Sequence, residues 1–124
     1  MNPRDIRFTQ DTVSPNFSDG GNISDTINQL RTGQISVNDF PTIRTVNYDG
    51  NVWTLDNRRL AVFSAAQVDE IPVQMLDLSD PAVNAEFLKK FNPINDGQNV
   101  VVVPSSGRAA ARAVLREHGV YGPN

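Results

Sequence analysis

The stretch TLDNRRLAVFSAA, residues 54–66, sets four consecutive polar side chains, Asp56, Asn57, Arg58 and Arg59, where an extended run gives way to an apolar one. A helix starting here needs one cap residue, and two adjacent guanidiniums exceed that need. With Asp56 as N-cap, the next three residues fill the first turn, where unpaired backbone N–H groups and the positive end of the helix dipole gather. Guanidinium adds a rigid fork of donors, and the combination is a phosphate cradle. Asp56 repels a phosphate unless it caps the backbone, pairs with an Arg or holds a divalent metal. The plain alternative is that Asp56 caps and the arginines are a solvated face, or pair with Asp49 or Asp69.

A second candidate lies in VVVVPSSGRAAARAV. An apolar strand runs through Ser105, Ser106 and Gly107 into a helix opened by Arg108, the layout of a phosphate loop without a Walker motif. Arg108, Arg112 and Arg116 follow at four-residue spacing and form one basic stripe, or else a solvated helix face. His118 ends this helix; a lone His there is a packed or capping residue or a general base. Asp11, Ser14, Ser18 and Asp19 stand in the first loop, where turn chemistry alone also calls for Ser, Asp and Gly. Tyr48 and Trp53 can stack on a base, although packing is the commoner work of a single Trp.

Positioning these groups requires the following elements. DIRFTQDTV reads as one strand, and NISDTINQLRTG as a helix capped by Asn22 or Ser24 and closed at Gly33. Two strand-like runs flank Asp49-Gly50, the pair that suits a type I′ hairpin between residues 42 and 55. A helix follows from Asp56, then a strand EIPVQML with Pro72 at its start or on an edge. SDPAVNAEFLKKF is a helix capped at Ser79 or Asp80, with Val83, Phe87 and Phe91 along one side. QNVVVV reads as a strand buried on both faces, and SSGRAAARAVLREHG as a last helix. The order predicts an α+β domain with helices packed on one side of a small mixed sheet.

At 124 residues and 39% hydrophobic residues the chain has the size of one domain with a modest core. Its net charge of −3 confines any nucleic-acid site to a local basic patch. Without Cys and with one His, disulfides, thiolate chemistry and multi-histidine metal sites are excluded. No apolar run is long enough to span a membrane, and MNPRDIRF lacks the apolar core of a signal peptide.

The hairpin IRTVNYDGNVWTLDNRR, the helix after it and the strand EIPV, preceded by a strand, a polar loop and a helix, resemble the ParB/sulfiredoxin-like fold over roughly residues 5–77, leaving 78–124 as an α-β-α extension. In that family a hairpin ends in an Arg-containing motif that opens a helix and binds nucleotide or nucleic-acid phosphate, and Asp-Asn-Arg-Arg stands in its place here. Sulfiredoxin chemistry needs a Cys that this chain lacks, and the helical DNA-reading domain of ParB partition proteins has no counterpart. Small stand-alone domains carrying LDNRR resemble those at the C-terminal ends of large secreted bacterial toxins and in phage proteins. The resemblance implies a nuclease delivered to the cytoplasm of a target cell as part of a larger toxin, and neutralised by an immunity protein. In that reading Arg58 and Arg59 hold the phosphate, and Asp56 positions the motif or holds a divalent metal. Asn57, Ser106, Arg108 and Arg112 extend the nucleic-acid contact, and His118 or Asp11 is the base. The rivals are a non-catalytic nucleotide- or nucleic-acid-binding module and a purely structural domain.

Overall fold

The computed structural model describes residues 1–122. Its elements are β1 (Ile6–Phe8), β2 (Thr12–Val13), α1 (Ile23–Arg31), β3 (Ile43–Tyr48), β4 (Asn51–Thr54), α2 (Asn57–Ala65), β5 (Val73–Leu76), α3 (Pro81–Lys90), β6 (Val101–Val102) and α4 (Arg108–Glu117). Four strands form one mixed sheet in the order β1-β4-β3-β5. β3 and β4 are antiparallel, while β1 runs parallel to β4 and β5 parallel to β3. The domain is α+β, as the element order predicts.

The hairpin forms for a local reason. Asp49 and Gly50 both take positive φ, 52° and 79°, as a type I′ turn demands. That turn sets the register, pairing Tyr48 with Asn51 and Val46 with Trp53. The Trp53 indole N–H donates to the Tyr48 carbonyl at 3.1 Å, which closes the hairpin further. α1 begins at an Asn22 side chain that accepts from the Ser24 N–H, and α3 at an Asp80 side chain that accepts from the Ala82 N–H.

Side chains alternate across the sheet into two cores. Ile6, Phe8, Ile43 and Val52 point to the side occupied by α1, α2 and α4. Val46, Trp53 and Leu55 point to the other, where Phe87, Val83 and Phe91 of the α3 segment meet them. The expectation of helices on one side only is therefore corrected: the apolar stripe of α3 needs its own partner, and the hairpin's second face supplies it. Each such side chain, fully buried, contributes roughly 1.5–3 kcal/mol, so both faces matter in a small domain.

Two further expectations change. DIRFTQDTV is not one strand, because β1 pairs with β4 and β2 pairs with β6, with a break at Thr9–Asp11. The run QNVVVV is not buried on both faces. Only Val101–Val102 is strand; Val100 and Val102 are buried while Val101 and Val103 are partly exposed. The chain's last third is built into the larger core, which runs from Ile6 to Val120.

Candidate phosphate-binding site

A cleft of about 630 Å³ opens at the start of α2. Its walls are Leu55–Arg59, the loop residues Phe17–Asp19, and Asp39–Pro41 before β3, with Gln10 and Lys90 at the sides. The Asp-Asn-Arg-Arg motif and the first loop thus meet at one cleft.

Asp56 occupies the N-cap position but makes no capping hydrogen bond. Its Oδ2 accepts from the Arg44 backbone N–H at 2.7 Å and from Arg44 Nε at 3.2 Å. Its Oδ1 accepts from Arg44 Nη2 at 2.8 Å and pairs with Arg59 Nη2 at 3.0 Å. The first intrahelical bond runs from the Leu60 N–H to the Asp56 carbonyl. The backbone N–H groups of Asn57, Arg58 and Arg59 are left with no hydrogen-bond partner among the described residues. The cap expected of Asp56 is therefore replaced by an ion pair. The carboxylate is 7% exposed and held by two guanidiniums, an environment that repels a metal cation; the metal-holding role does not fit it.

Arg44 joins Asp56 to α3. Its Nη1 and Nη2 each donate to Glu86 at 2.9 Å. Glu86 in turn accepts from Lys90 Nζ at 2.7 Å, and Lys90 also donates to the Leu55 carbonyl at 2.6 Å. Burial pushes the Asp56 carboxyl up, but the Arg44 side-chain and backbone hydrogen bonds and the Arg59 charge outweigh it and hold the group below the usual carboxylate range. Hydrogen bonds from Arg44 and then Lys90 lower Glu86 likewise. Both carboxylates raise the Arg44 pKa. The network sets three basic side chains, Arg44, Arg59 and Lys90, against two carboxylates, Asp56 and Glu86, and so leaves a net positive charge beside the cleft.

The two arginines of the motif are fixed to opposite walls. Arg58 Nη1 donates to the Asn16 carbonyl at 2.7 Å, and its guanidinium lies 4.9 Å from the Phe17 ring centroid. Its Nε and Nη2 have no partner among the described residues. Arg59 Nη1 donates to the carbonyls of Pro41, at 2.7 Å, and Thr42. Neither pairs with Asp49 or Asp69; Asp69 pairs with Arg4 instead.

Asn57 does not offer its side chain to a ligand. It is 4% exposed, and its Oδ1 accepts from the Thr9 and Gln10 N–H groups at 2.9 and 3.2 Å. Its Nδ2 donates to Thr9 Oγ1. The amide therefore satisfies the broken strand between β1 and β2, and only the Asn57 backbone N–H remains for an anion.

The second candidate set stands apart. Ser106, Arg108, Arg112 and His118 do not line this cleft. The Ser106 carbonyl accepts from Asn16 Nδ2, and Arg108 Nε donates to the Val102 carbonyl. Gly107 takes φ 84°, and a Cβ there would stand 2.3 Å from Asn22 Nδ2, so Asn22 fills the space a phosphate would need. Arg112 is partly exposed, and Arg116 lies over Tyr121 rather than in a free stripe. His118 is the C-cap of α4; its buried Nε2 has no hydrogen-bond partner among the described residues, and it borders a different cavity beside Ser64 and Arg4. Asp11 does not line the cleft either. Trp53 is a core residue packed on Phe91.

Sequence reasoning missed Arg44, Glu86 and Lys90. The hairpin register carries the signal for Arg44: continuing the pairs outward from Asp49-Gly50 sets Arg44 opposite Leu55, next to Asp56. Glu86 and Lys90 have the i, i+4 spacing of a helical ion pair. Among the described residues no cluster of three His, Asp or Glu stands ready for a metal, and no helix is long and apolar enough to cross a membrane. Set against family models, curated proteins and solved structures, the chain matches none of them.

Proposed function

We propose that the chain is a phosphate-recognition domain of ParB/sulfiredoxin-like type, which holds the phosphate of a nucleotide or nucleic acid at the start of α2. One observation carries the reading. The backbone N–H groups of Asn57, Arg58 and Arg59 lack partners at the mouth of a cleft, beside the unused donors of Arg58. An anion there completes the helix cap and meets the dipole's positive end. Asp56, which would oppose it, is neutralised by Arg44 and Arg59.

Cleavage of a phosphodiester in the same cleft is the second reading, as a toxin domain with an immunity partner. Asp19 and Asp39 favour it. Both line the cleft, and each uses one carboxylate oxygen in a backbone hydrogen bond, to Gly21 and Ser36 respectively. The other oxygen is free of such bonds among the described residues and is available to take a proton from water. An acidic immunity protein covering Arg58 and Arg59 would block the cleft.

Titration of the ¹⁵N-labelled protein with inorganic phosphate and with a short 5′-phosphorylated oligonucleotide tests the binding. The amides of Asn57, Arg58 and Arg59 should shift, and Arg58→Ala should weaken the effect about tenfold, the worth of one charge-assisted hydrogen bond. Undisturbed amides at millimolar phosphate and oligonucleotide would rule the site out. Oligonucleotide cleavage by the wild type that Asp19→Asn or Asp39→Asn abolishes would favour the nuclease; binding without turnover would leave the recognition module.

A further inference from the structure

We infer that the β5 edge of the sheet is a docking strip for an extended, basic segment of another protein, which adds to the sheet as a further strand. The two edges of the sheet differ. β1, at one edge, is covered by the turn at Asn95–Gly97: Gly97 packs so closely that a Cβ would stand 2.6 Å from Trp53 and 2.7 Å from the Phe8 carbonyl. Among the described residues, β5, at the other edge, has β3 as its only strand neighbour. Among the described residues, no segment outside the sheet makes a backbone hydrogen bond to Val73–Leu76. An uncovered edge is a row of backbone donors and acceptors that an extended peptide can pair with.

The surroundings define the partner. From Leu60 to Leu88 the chain carries Asp69, Glu70, Asp77, Asp80 and Glu86 and not one Lys or Arg. Asp69 and Glu70 are paired with Arg4 and the N-terminal amine, and Glu86 with Arg44 and Lys90. Asp77 accepts from the Ser79 N–H and side chain, Asp80 accepts from the Ala82 and Val83 N–H groups, and among the described residues neither pairs with a cation. They follow β5 directly, where a groove of about 330 Å³ is lined by Asn47, Met75, Leu76, Asp77 and Leu78. Met75 is 46% exposed there. The strip therefore offers backbone pairing, apolar contact and two unneutralised carboxylates, which match alternating apolar and Lys or Arg side chains. A second copy of this chain fits poorly, because its own basic edge around Arg7 is the one that the 95–97 turn covers. The groove lies at the Asn47 end of β3, whereas Arg59 grips Pro41 and Thr42 before its other end, so the groove end of this strip lies away from the phosphate site.

The test uses the full chain, ¹⁵N-labelled, and three synthetic hexapeptides: Lys-Val-Lys-Val-Lys-Val, its Glu-for-Lys counterpart, and the Lys peptide with its central Val replaced by Pro. The Lys peptide should shift the amides of Val73–Leu78 and leave those of Asn57–Arg59 in place. The Pro peptide has the same charge but lacks a strand N–H, and should bind markedly more weakly. Asp77→Asn with Asp80→Asn keeps a side-chain oxygen to accept the local backbone hydrogen bonds and should weaken binding about fivefold, the worth of two exposed ion pairs. Met75→Lys, at an exposed position, should weaken it as well. Equal binding of the Glu or Pro peptide, no response at millimolar Lys peptide, or β5 shifts that grow with protein concentration alone would each overturn the inference, the last by making a second copy the occupant.

Discussion

Arg44→Met removes the guanidinium that joins the hairpin, α2 and α3. The variant keeps the backbone N–H to Asp56 at 2.7 Å but loses two side-chain bonds to Asp56 and two to Glu86. The Glu86 side chain is 30% exposed and water replaces much of its contact, so that half is worth less than about 1 kcal/mol. The Asp56 side chain is 7% exposed; a bond to such a charged group is worth about 1.5–3 kcal/mol, and Arg59 remains to share the loss. The variant should therefore be destabilised by about 3 kcal/mol at pH 7. A domain of this size, at about 5–15 kcal/mol in total, stays folded. Trp53, the single Trp and 5% exposed, makes urea unfolding readable by fluorescence.

The pH dependence gives the prediction its discriminating power. Asp56 and Glu86 have folded-state pKa values below their ordinary ones. Their stabilising contribution is then fully present above the unfolded-state values, near 4, and is lost as pH falls through the depressed folded values. Without the Arg44 side chain, Asp56 loses its largest lowering cause and its pKa rises toward the ordinary carboxylate range. The gap between wild type and Arg44→Met should hence be largest near neutrality and shrink below pH 4. A gap below about 0.5 kcal/mol at pH 7, or one of constant size down to acid unfolding, would refute the account of this network.

Four other outcomes are expected. Asn57→Ala strands the Thr9 and Gln10 N–H groups in a buried site and should cost about 2–4 kcal/mol in urea unfolding, which separates its role from ligand contact. Gly97→Ala forces a Cβ onto Trp53 and Phe8 at φ 75°; it should cost about 3 kcal/mol or more and change the Trp53 emission. Arg112→Glu should leave inorganic phosphate binding unchanged, since Arg112 does not line the cleft. If nucleic acid tracks over α4, the same variant should flatten the salt dependence of oligonucleotide affinity by about one unit in a titration series. Sulfate or phosphate at a hundred times its dissociation constant should raise wild-type stability by about 2.7 kcal/mol in thermal unfolding, and Arg58→Ala should lose most of that gain.

What could be read in the sequence is what short-range chemistry decides. Asp49-Gly50 specifies the hairpin because few residues tolerate positive φ twice in a row. Asn22 and Gly33 bracket α1, and Asp80 with Pro81 opens α3, through caps that act within one turn. The rest depends on partners far along the chain. The break at Thr9–Asp11 exists because Asn57 supplies its hydrogen bonds from another element. The strand around Val101 is short because its neighbour is the two-residue β2. No periodicity in VNAEFLKKF says that its Phe87 turns to the far face of the hairpin. In the motif itself, residue types located the cleft, and Arg58 and Arg59 stand on it; the division of labour among Asp56, Asn57 and the backbone is set by Arg44, which only the hairpin register brings to Asp56, and by Thr9, which no local pattern ties to Asn57.

That division bears on why a helix start would forgo its cap. An Asp at this position normally bonds to the N–H groups of the first turn, a gain of about 1 kcal/mol. Here the carboxylate turns instead to Arg44 and Arg59, and α2 lies in the core with Leu60, Ala61, Val62 and Ala65 fully buried. Packing holds the helix, so its first turn is free to stay uncapped. The same carboxylate that leaves the N–H groups open also pulls Arg59 back against the Pro41 wall, while Arg58 is steadied by Asn16 and Phe17 on the other side. The donors are thereby held apart around an opening, and none is spent on another. An anion entering the cleft meets groups already oriented, with little side-chain freedom left to lose. Under the proposed function, the requirement falls on the chemistry of the ligand: it must bring its own negative charge and several acceptor oxygens, which a phosphate does and a neutral sugar or an amine does not.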